Sequence, residues 1–340
     1  MSFTVTIADI AKKLNTTSAT VSRALNNHPA ISEKTRKKVL KIAEKLNYRR
    51  NNVASSLRLS KTGIIGVIIP SAEINFFGSV VHGIESIANM NGYNVLIYQS
   101  NESMEHEKKG IETLLNARVD GIMVSMAKET IDYSHFLEAK NAKVPIVFFD
   151  RANDELQIDS VVINDYKGAY IATQHLIDQG YKHIAHISGP LHISIFKARL
   201  EGYRAALKTN GLKYNKTFVV PGDVSIESGR NSLRRLLKLA QPPDAVFAVE
   251  DFTALGVIKE LKEQNICIPG DFGVIGFANE HFGEHITPSL STIDQQTVNM
   301  GKEAFNLMLN LIKNKGNKNN KPQKITLEPV PVFRDSTDRL

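Results

Sequence analysis

Apolar residues recur at two different spacings along the chain, and the spacing changes near residue 63. In the first part Ile7, Ile10, Ala11 and Leu14 fall at intervals of three and four, one face of a helix. Thr6 stands before them as an N-cap, and Asp9 lies in the first turn, where the helix dipole favours an anion. Asn15 and Thr16 make a short turn. Thr17 or Ser18 then caps a second short helix, SATVSRALN, with Val21 and Leu25 facing inward. A third helix is expected from Ser32 to about Asn47, with Val39, Ile42, Ala43 and Leu46 inward and its lysines and arginines on the other faces.

From Gly63 onward, short β-branched runs alternate with helical stretches. The runs are 64–70, 94–98, 121–125, 145–150, 160–165, 183–188, 218–222, 245–250 and 273–278. Helical spacing occupies intervening segments such as 78–91, 104–116, 168–179, 227–239 and 251–264. Alternation of this kind predicts parallel sheets covered by helices on both faces, and more than eight units fit two sheets better than one.

Charge separates the same two parts. Residues 1–61 carry 13 Lys/Arg against 3 Asp/Glu, a net +10, and the remainder of the chain is at −3. A basic module on a near-neutral body is the electrostatic pattern of nucleic-acid binding. The rest of the composition, 42% hydrophobic and 23% charged, is that of a globular protein. No apolar run is long enough to span a bilayer, so no membrane partner is expected. Met1–Ile10 lacks a secretory pattern, and the one cysteine, Cys267, fits a reducing compartment; a cytoplasmic location is expected.

Two short helices joined by a tight turn and braced by a third predict a helix-turn-helix. Its second helix would read the major groove. Ser18, Ala19 and Ser22 are small enough for close approach, and Arg23 can reach a phosphate or a guanine edge.

The run from Thr6 to Arg58 resembles the DNA-binding segment of the lactose/galactose repressor (LacI/GalR) family, with ATVSRALN, ISEKTRKKV, LNY and NNVASSLR in the family's order and spacing. The resemblance implies double-stranded operator DNA as partner, bound by a homodimer. Thr6, Thr17, Ser18, Ala19, Thr20, Ser22, Arg23 and Asn26 are the implied DNA-contacting residues of the helical module. Asn51, Val53, Ala54, Ser55 and Leu57 are those of a hinge helix, with Leu57 as the leucine wedged into the minor groove. Eight residues are too few for a stable isolated helix, so such a hinge would form on DNA, and the inserted side chain would kink the duplex. Arg50 replaces the family's usual proline before the hinge asparagine.

HGIESIANMNGYNVLIYQSN, RVDGIMVS, PIVFFDR, GAYIATQHLIDQGYKHIAHISGP, ARLEGYRAAL and TPSLSTIDQ extend the resemblance over the body. The implied fold is an all-α helix-turn-helix head plus a two-lobed, periplasmic-binding-protein-like α/β sensor domain with parallel sheets. The expected organisation is 1–50 as DNA-binding domain, 51–61 as hinge and linker, and 62–340 as effector-binding and dimerisation domain. Within the last, one lobe takes 62–163 plus 295–325 and the other 164–294 plus 326–340.

Open parallel sheets bind ligands beyond the carboxyl ends of their strands. Polar residues there include Ser71, Ser125, Asp150, Asp251 and Asn279, each of which could instead serve as a cap or loop residue. The resemblance implies a small-molecule effector in the cleft, with Arg199 contacting it and Asp150 and Asp251 facing it. Phe76 and Phe77 would cover it or pack in the core. A fork of donors at Arg199 suits paired sugar hydroxyls or a carboxylate. Ala278, Glu250 and the order Asn164-Asp165 depart from the family's usual aspartate, asparagine and Asp-Asn pair. A sugar or sugar derivative is the expected effector, with a sugar phosphate or nucleobase left open. The last residues carry no leucine heptad, so the tetramer-forming tail of some relatives is not expected.

No dinucleotide or P-loop glycine motif and no nucleophile elbow occurs. His183 and His186 would point to opposite faces of a strand, which argues against a shared metal. A regulator without enzymatic activity, cofactor or metal is the resulting expectation.

Overall fold

The computed structural model describes residues 5–48, 61–314 and 321–339. The chain divides into two compact units, Met1–Thr62 and Gly63–Leu340.

In the first unit α1 (Ile7–Lys13), α2 (Ser18–Leu25) and α3 (Glu33–Lys45) bury Ile10, Ala11, Val21, Ala24, Val39 and Ala43 against one another. Thr6 and Asp9 form a reciprocal capping box on α1. That hydrogen bonding to Thr6 holds the exposed Asp9 carboxyl below its ordinary pKa. Of the two expected caps on α2 it is Thr17 that acts, its hydroxyl accepting from the Thr20 amide at 3.2 Å. Ser32 caps α3 in the same way.

The second unit holds two parallel sheets. The larger has the order β11-β5-β4-β3-β1-β2, from β1 (Ile64–Ile69), β2 (Asn94–Gln99), β3 (Gly121–Val124), β4 (Ile146–Phe149), β5 (Asp159–Ile163) and β11 (Lys324–Leu327). The smaller has the order β7-β6-β8-β9, from β6 (Ile184–Ser188), β7 (Val219–Pro221), β8 (Ala245–Ala248) and β9 (Gly273–Ile275). Every pairing in both is parallel. A third, antiparallel ribbon joins β10 (Thr292–Asp294) to β12 (Val330–Val332). β1, β3, β4, β6 and β8 are nearly continuous apolar runs because both faces of a parallel sheet are covered.

Helices α4 (Asn75–Met90), α5 (Met104–Asn116), α6 (Ser134–Asn141) and α11 (Thr297–Lys313) pack on the larger sheet or on one another. α7 (Asp165–Asp178), α8 (Ser194–Thr209), α9 (Ile226–Leu237) and α10 (Asp251–Glu263) do so around the smaller one. The chain crosses between the two sheets three times, after β5, after β10 and after β11. Glycine sets one close approach: a Cβ on Gly83 of α4 would strike the Val298 carbonyl of α11, and one on Gly301 the Val80 carbonyl. Among the described residues no helix is long and apolar enough to cross a membrane.

Candidate functional site

On the three-helix unit, Thr6, Thr17, Ser18, Ala19, Arg23 and Asn26 are exposed, and Thr20 and Ser22 partly so. Ala19 and Arg23, four residues apart, therefore share a face of α2 turned away from the buried Val21 and Ala24, and Ser18 is exposed in its first turn. The hydroxyls of Thr6 and Thr17 already serve as caps, which leaves their exposed edges for a partner. Asn51, Val53, Ala54, Ser55 and Leu57, together with Arg50, lie outside the described residues.

In the second unit a cavity of about 350 Å³ opens between the two sheets. Its size is within the range of small-molecule sites. One wall comes from the larger sheet's side: Phe76 and Phe77 at the start of α4, Glu102, Lys128, and Asp150-Arg151 after β4. The other comes from α8 with Phe196 and Arg199, the 224–226 turn, Glu250 and Phe252 at the start of α10, and Ala278 and Glu280 after β9. Gln295 closes it from a crossover.

Phe76 and Phe77 meet edge to face at 5.0 Å and are nearly buried, yet both line the cavity. Burial and a place in the cavity wall are thus compatible at these positions. Arg199 is 2% exposed. Its Nε donates to Asp165 Oδ1 at 2.8 Å, Nη1 to the Val249 carbonyl at 2.7 Å and Nη2 to Gln295 Oε1 at 3.3 Å. Its guanidinium carbon lies 3.7 Å from the Phe277 ring centre. Burial pushes the Asp165 carboxyl up to about 6 in spite of this partner. Asp165 lines a second, adjoining cavity of about 640 Å³, which shares Asp150 and Arg151 with the first.

Asp150, just after β4, has a left-handed φ of 61°. Ser125 Oγ donates to it at 3.1 Å, and burial raises its pKa. Arg151 spans Glu102 with two hydrogen bonds of 2.7 and 3.2 Å. Glu250 caps α10 through the Phe252 amide, and burial holds its carboxyl well above the usual carboxylate range. Glu280 accepts from the Phe76 amide at 3.1 Å, which ties the two walls across the cavity. Lys128 Nζ reaches the Asp223 carbonyl, and His192 Nε2 lies 2.7 Å from the Lys128 carbonyl, two further links between the same sides.

Of the effector residues expected from sequence, Phe76, Phe77, Asp150 and Arg199 converge on the cavity; Ser71, Ser125, Asp251 and Asn279 are not in its lining. Ser71 Oγ accepts from the Glu73 amide. Asp251 is fully buried, accepting from the Thr292 hydroxyl at 2.7 Å and the Glu280 amide at 2.7 Å. Burial raises its pKa to about 6. Asn279 bridges Asp294 and Arg334. Glu102, Lys128, Phe196, Phe252, Glu280 and Gln295 also line the cavity and were not among the effector residues expected from sequence. Glu280 had a signal in FANEHF: a carboxylate stands two positions after Ala278, where many relatives place theirs.

Residues 6–51 match the family model described as bacterial regulatory proteins, lacI family, and residues 62–335 match that of periplasmic binding proteins and the sugar binding domain of the LacI family. Catabolite control protein A of Priestia megaterium is 35% identical over 335 residues, covering 98% of this chain and 99% of that protein. An HTH-type transcriptional repressor PurR from Actinobacillus pleuropneumoniae serotype 3 (strain JL03) is 32% identical over 335 residues, covering 98% and 99%. Among solved structures, the Lac repressor dimer bound to operator and the anti-inducer ONPF superposes with a TM-score of 0.86 at 27% identity, covering 98% of this chain and 99% of that one. The complex of the transcriptional regulator CelR with cellobiose superposes with a TM-score of 0.74 at 27% identity and the same coverage.

Proposed function

The chain belongs to the lacI family of bacterial regulatory proteins, and from that premise we propose that it is a repressor whose hold on a palindromic operator is set by a small molecule in the 350 Å³ cavity. The observation that carries this reading is the cavity itself. Two opposed walls, one from each sheet, meet there through hydrogen bonds that a ligand could strengthen or break, such as Glu280 to the Phe76 amide. A ligand acts on an equilibrium only through different affinities for its two states, and a cleft with movable walls supplies that difference. By linkage, operator DNA changes effector affinity by the same factor.

The DNA-reading residues in this proposal are Thr6, Thr17, Ser18, Ala19, Thr20, Ser22, Arg23 and Asn26, with Asn51, Val53, Ala54, Ser55 and Leu57 as the hinge. The exposed small side chains at the start of α2 favour it, since they allow a helix to approach base edges closely. Homodimerisation is favoured by exposed apolar side chains at the edge of the larger sheet: Met90 at the end of α4 is 73% exposed and Ile97 on the edge strand β2 is 50% exposed. A two-fold dimer would match operator symmetry.

For the effector we propose a sugar or sugar derivative. Four phenylalanines, 76, 77, 196 and 252, offer apolar faces, and Asp150, Glu102, Glu250 and Glu280 offer acceptors for hydroxyl groups. Arg199 commits three of its five N–H donors to Asp165, Val249 and Gln295, which fixes its orientation in the cavity wall and leaves donors for a ligand hydroxyl. A dye-based thermal-shift screen of sugars, phosphosugars and purines on the full chain tests the assignment. The expected hit is a sugar that raises Tm in the wild type and loses at least about tenfold in affinity in Phe77→Ala. A hit whose affinity is unchanged in Phe77→Ala would place the effector elsewhere.

A further inference from the structure

Beyond β9, in the turn that follows Glu280, three donors of a kind that bind transition metals sit side by side. A short 3-10 turn, His281–Glu284, runs into His285. Glu284 Oε1 lies 2.9 Å from His281 Nδ1 and 3.3 Å from His285 Nε2. The two imidazole rings meet edge to face with centres 4.8 Å apart. One donor atom from each of the three side chains lies within 4.8 Å of the others.

Zinc binds nitrogen at about 2.0–2.1 Å and carboxylate oxygen at about 2.0–2.2 Å, so tetrahedral donors stand about 3.4 Å apart. Two of the separations here are already close to that figure, and modest rotations of exposed side chains would bring the third into line. The backbone beneath is firmly held. The Glu280 amide donates to Asp251 Oδ2 at 2.7 Å, the Gly283 amide to the Glu280 carbonyl at 2.9 Å, and the Leu290 amide to the Gly283 carbonyl at 2.7 Å. Phe282 packs on Phe252 with ring centres 5.0 Å apart. Donors on an anchored turn lose less entropy on closing around an ion than donors on separate loops.

We propose that His281, Glu284 and His285 form a binding site for a divalent transition ion of the zinc class. The donor set selects the ion: two imidazoles favour zinc, nickel or copper over magnesium and calcium, which take oxygen ligands. Three protein donors leave the remaining positions to water or a further ligand. Because Glu280 lines the cavity and immediately precedes His281, an ion held here would fix the turn that carries Glu280 across to Phe76. The site is independent of the effector assignment and stands or falls without it.

The test is calorimetric titration of zinc chloride into the full chain, purified without an affinity tag and carrying Cys267→Ser, because Cys267 is exposed and could bind zinc itself. One equivalent should bind in this background. His281→Ala and His285→Ala should each weaken it by at least the ~10–100-fold that loss of an outer-shell partner costs a metal site. Glu284→Gln should weaken it as well. Magnesium chloride should give no binding at the same site. All three side chains are exposed, so the variants should melt with the parent, and a matching Tm shows that they are folded. Absence of zinc binding, or binding that these variants leave unchanged, overturns the proposal.

Discussion

His186 lies in the middle of β6 with no exposed surface, between the rings of Phe247 and Tyr203 at 4.7 and 5.3 Å. Its Nδ1 lies 2.9 Å from the Phe247 carbonyl and so carries a proton, while Nε2 is buried without a hydrogen-bond partner, which favours the neutral ring. Burial pushes its pKa down to about 4. A depressed histidine contributes stability that is present above the unfolded value of about 6.5 and lost as pH falls through the folded value of about 4. Asp165 and Asp251 run the other way. Their folded values of about 6 exceed the unfolded 3.8, so their contribution is present below 3.8 and lost as pH rises through about 6. Comparing wild type with His186→Gln cancels those two groups. Between pH 7 and 4 the wild type should lose about 3 kcal/mol more unfolding free energy than the variant, measured in urea at each pH. Parallel curves would show that the ring is not held neutral.

At this scale the sequence was only half legible. Asp150, Arg199 and the paired phenylalanines line the cavity, but the oxygens of Asp251 and Asn279 turn to neighbouring protein groups, the Glu280 amide and the Arg334 guanidinium. Strand ends collect polar residues whether they face a ligand or a backbone amide, and nothing in the local sequence separates the two. Asp165, the partner of Arg199, is 34 residues away and surfaced in the sequence only as an inverted pair.

Among elements, the buried strands were readable because a parallel sheet covered on both faces demands unbroken apolar runs, as in Ile64–Ile69. β11 was not. Its residues alternate between exposed and half-buried at the edge of the sheet, and four residues following a lysine- and asparagine-rich run are too few to establish a period. β10 and β12 are three residues each, too short to show a period. Helix pairing depends on still subtler features, such as the glycines that let α4 and α11 touch. Gly83→Ala would drive a methyl group into the Val298 carbonyl. Overpacking of this kind costs about 1–3 kcal/mol. The variant's Tm should fall accordingly, and an unchanged Tm would mean that α4 and α11 separate at no cost.

For the whole molecule, the division near residue 63 was plain from the change of spacing and the change of charge, since each answers to a different partner. The basic head is built for a polyanion, and the body resembles an effector-binding domain. The basic head should hold duplex DNA through both phosphates and base edges. The most direct test measures affinity of the full chain for a palindromic duplex, selected from a random pool, and for a scrambled duplex of equal composition, over a range of salt. Neutralising several phosphates should make log K fall steeply and linearly with log salt, by about 0.9 per phosphate contacted, with the palindrome held roughly 10³-fold or more tighter than the scramble. An affinity indifferent to salt and equal for both duplexes would contradict it.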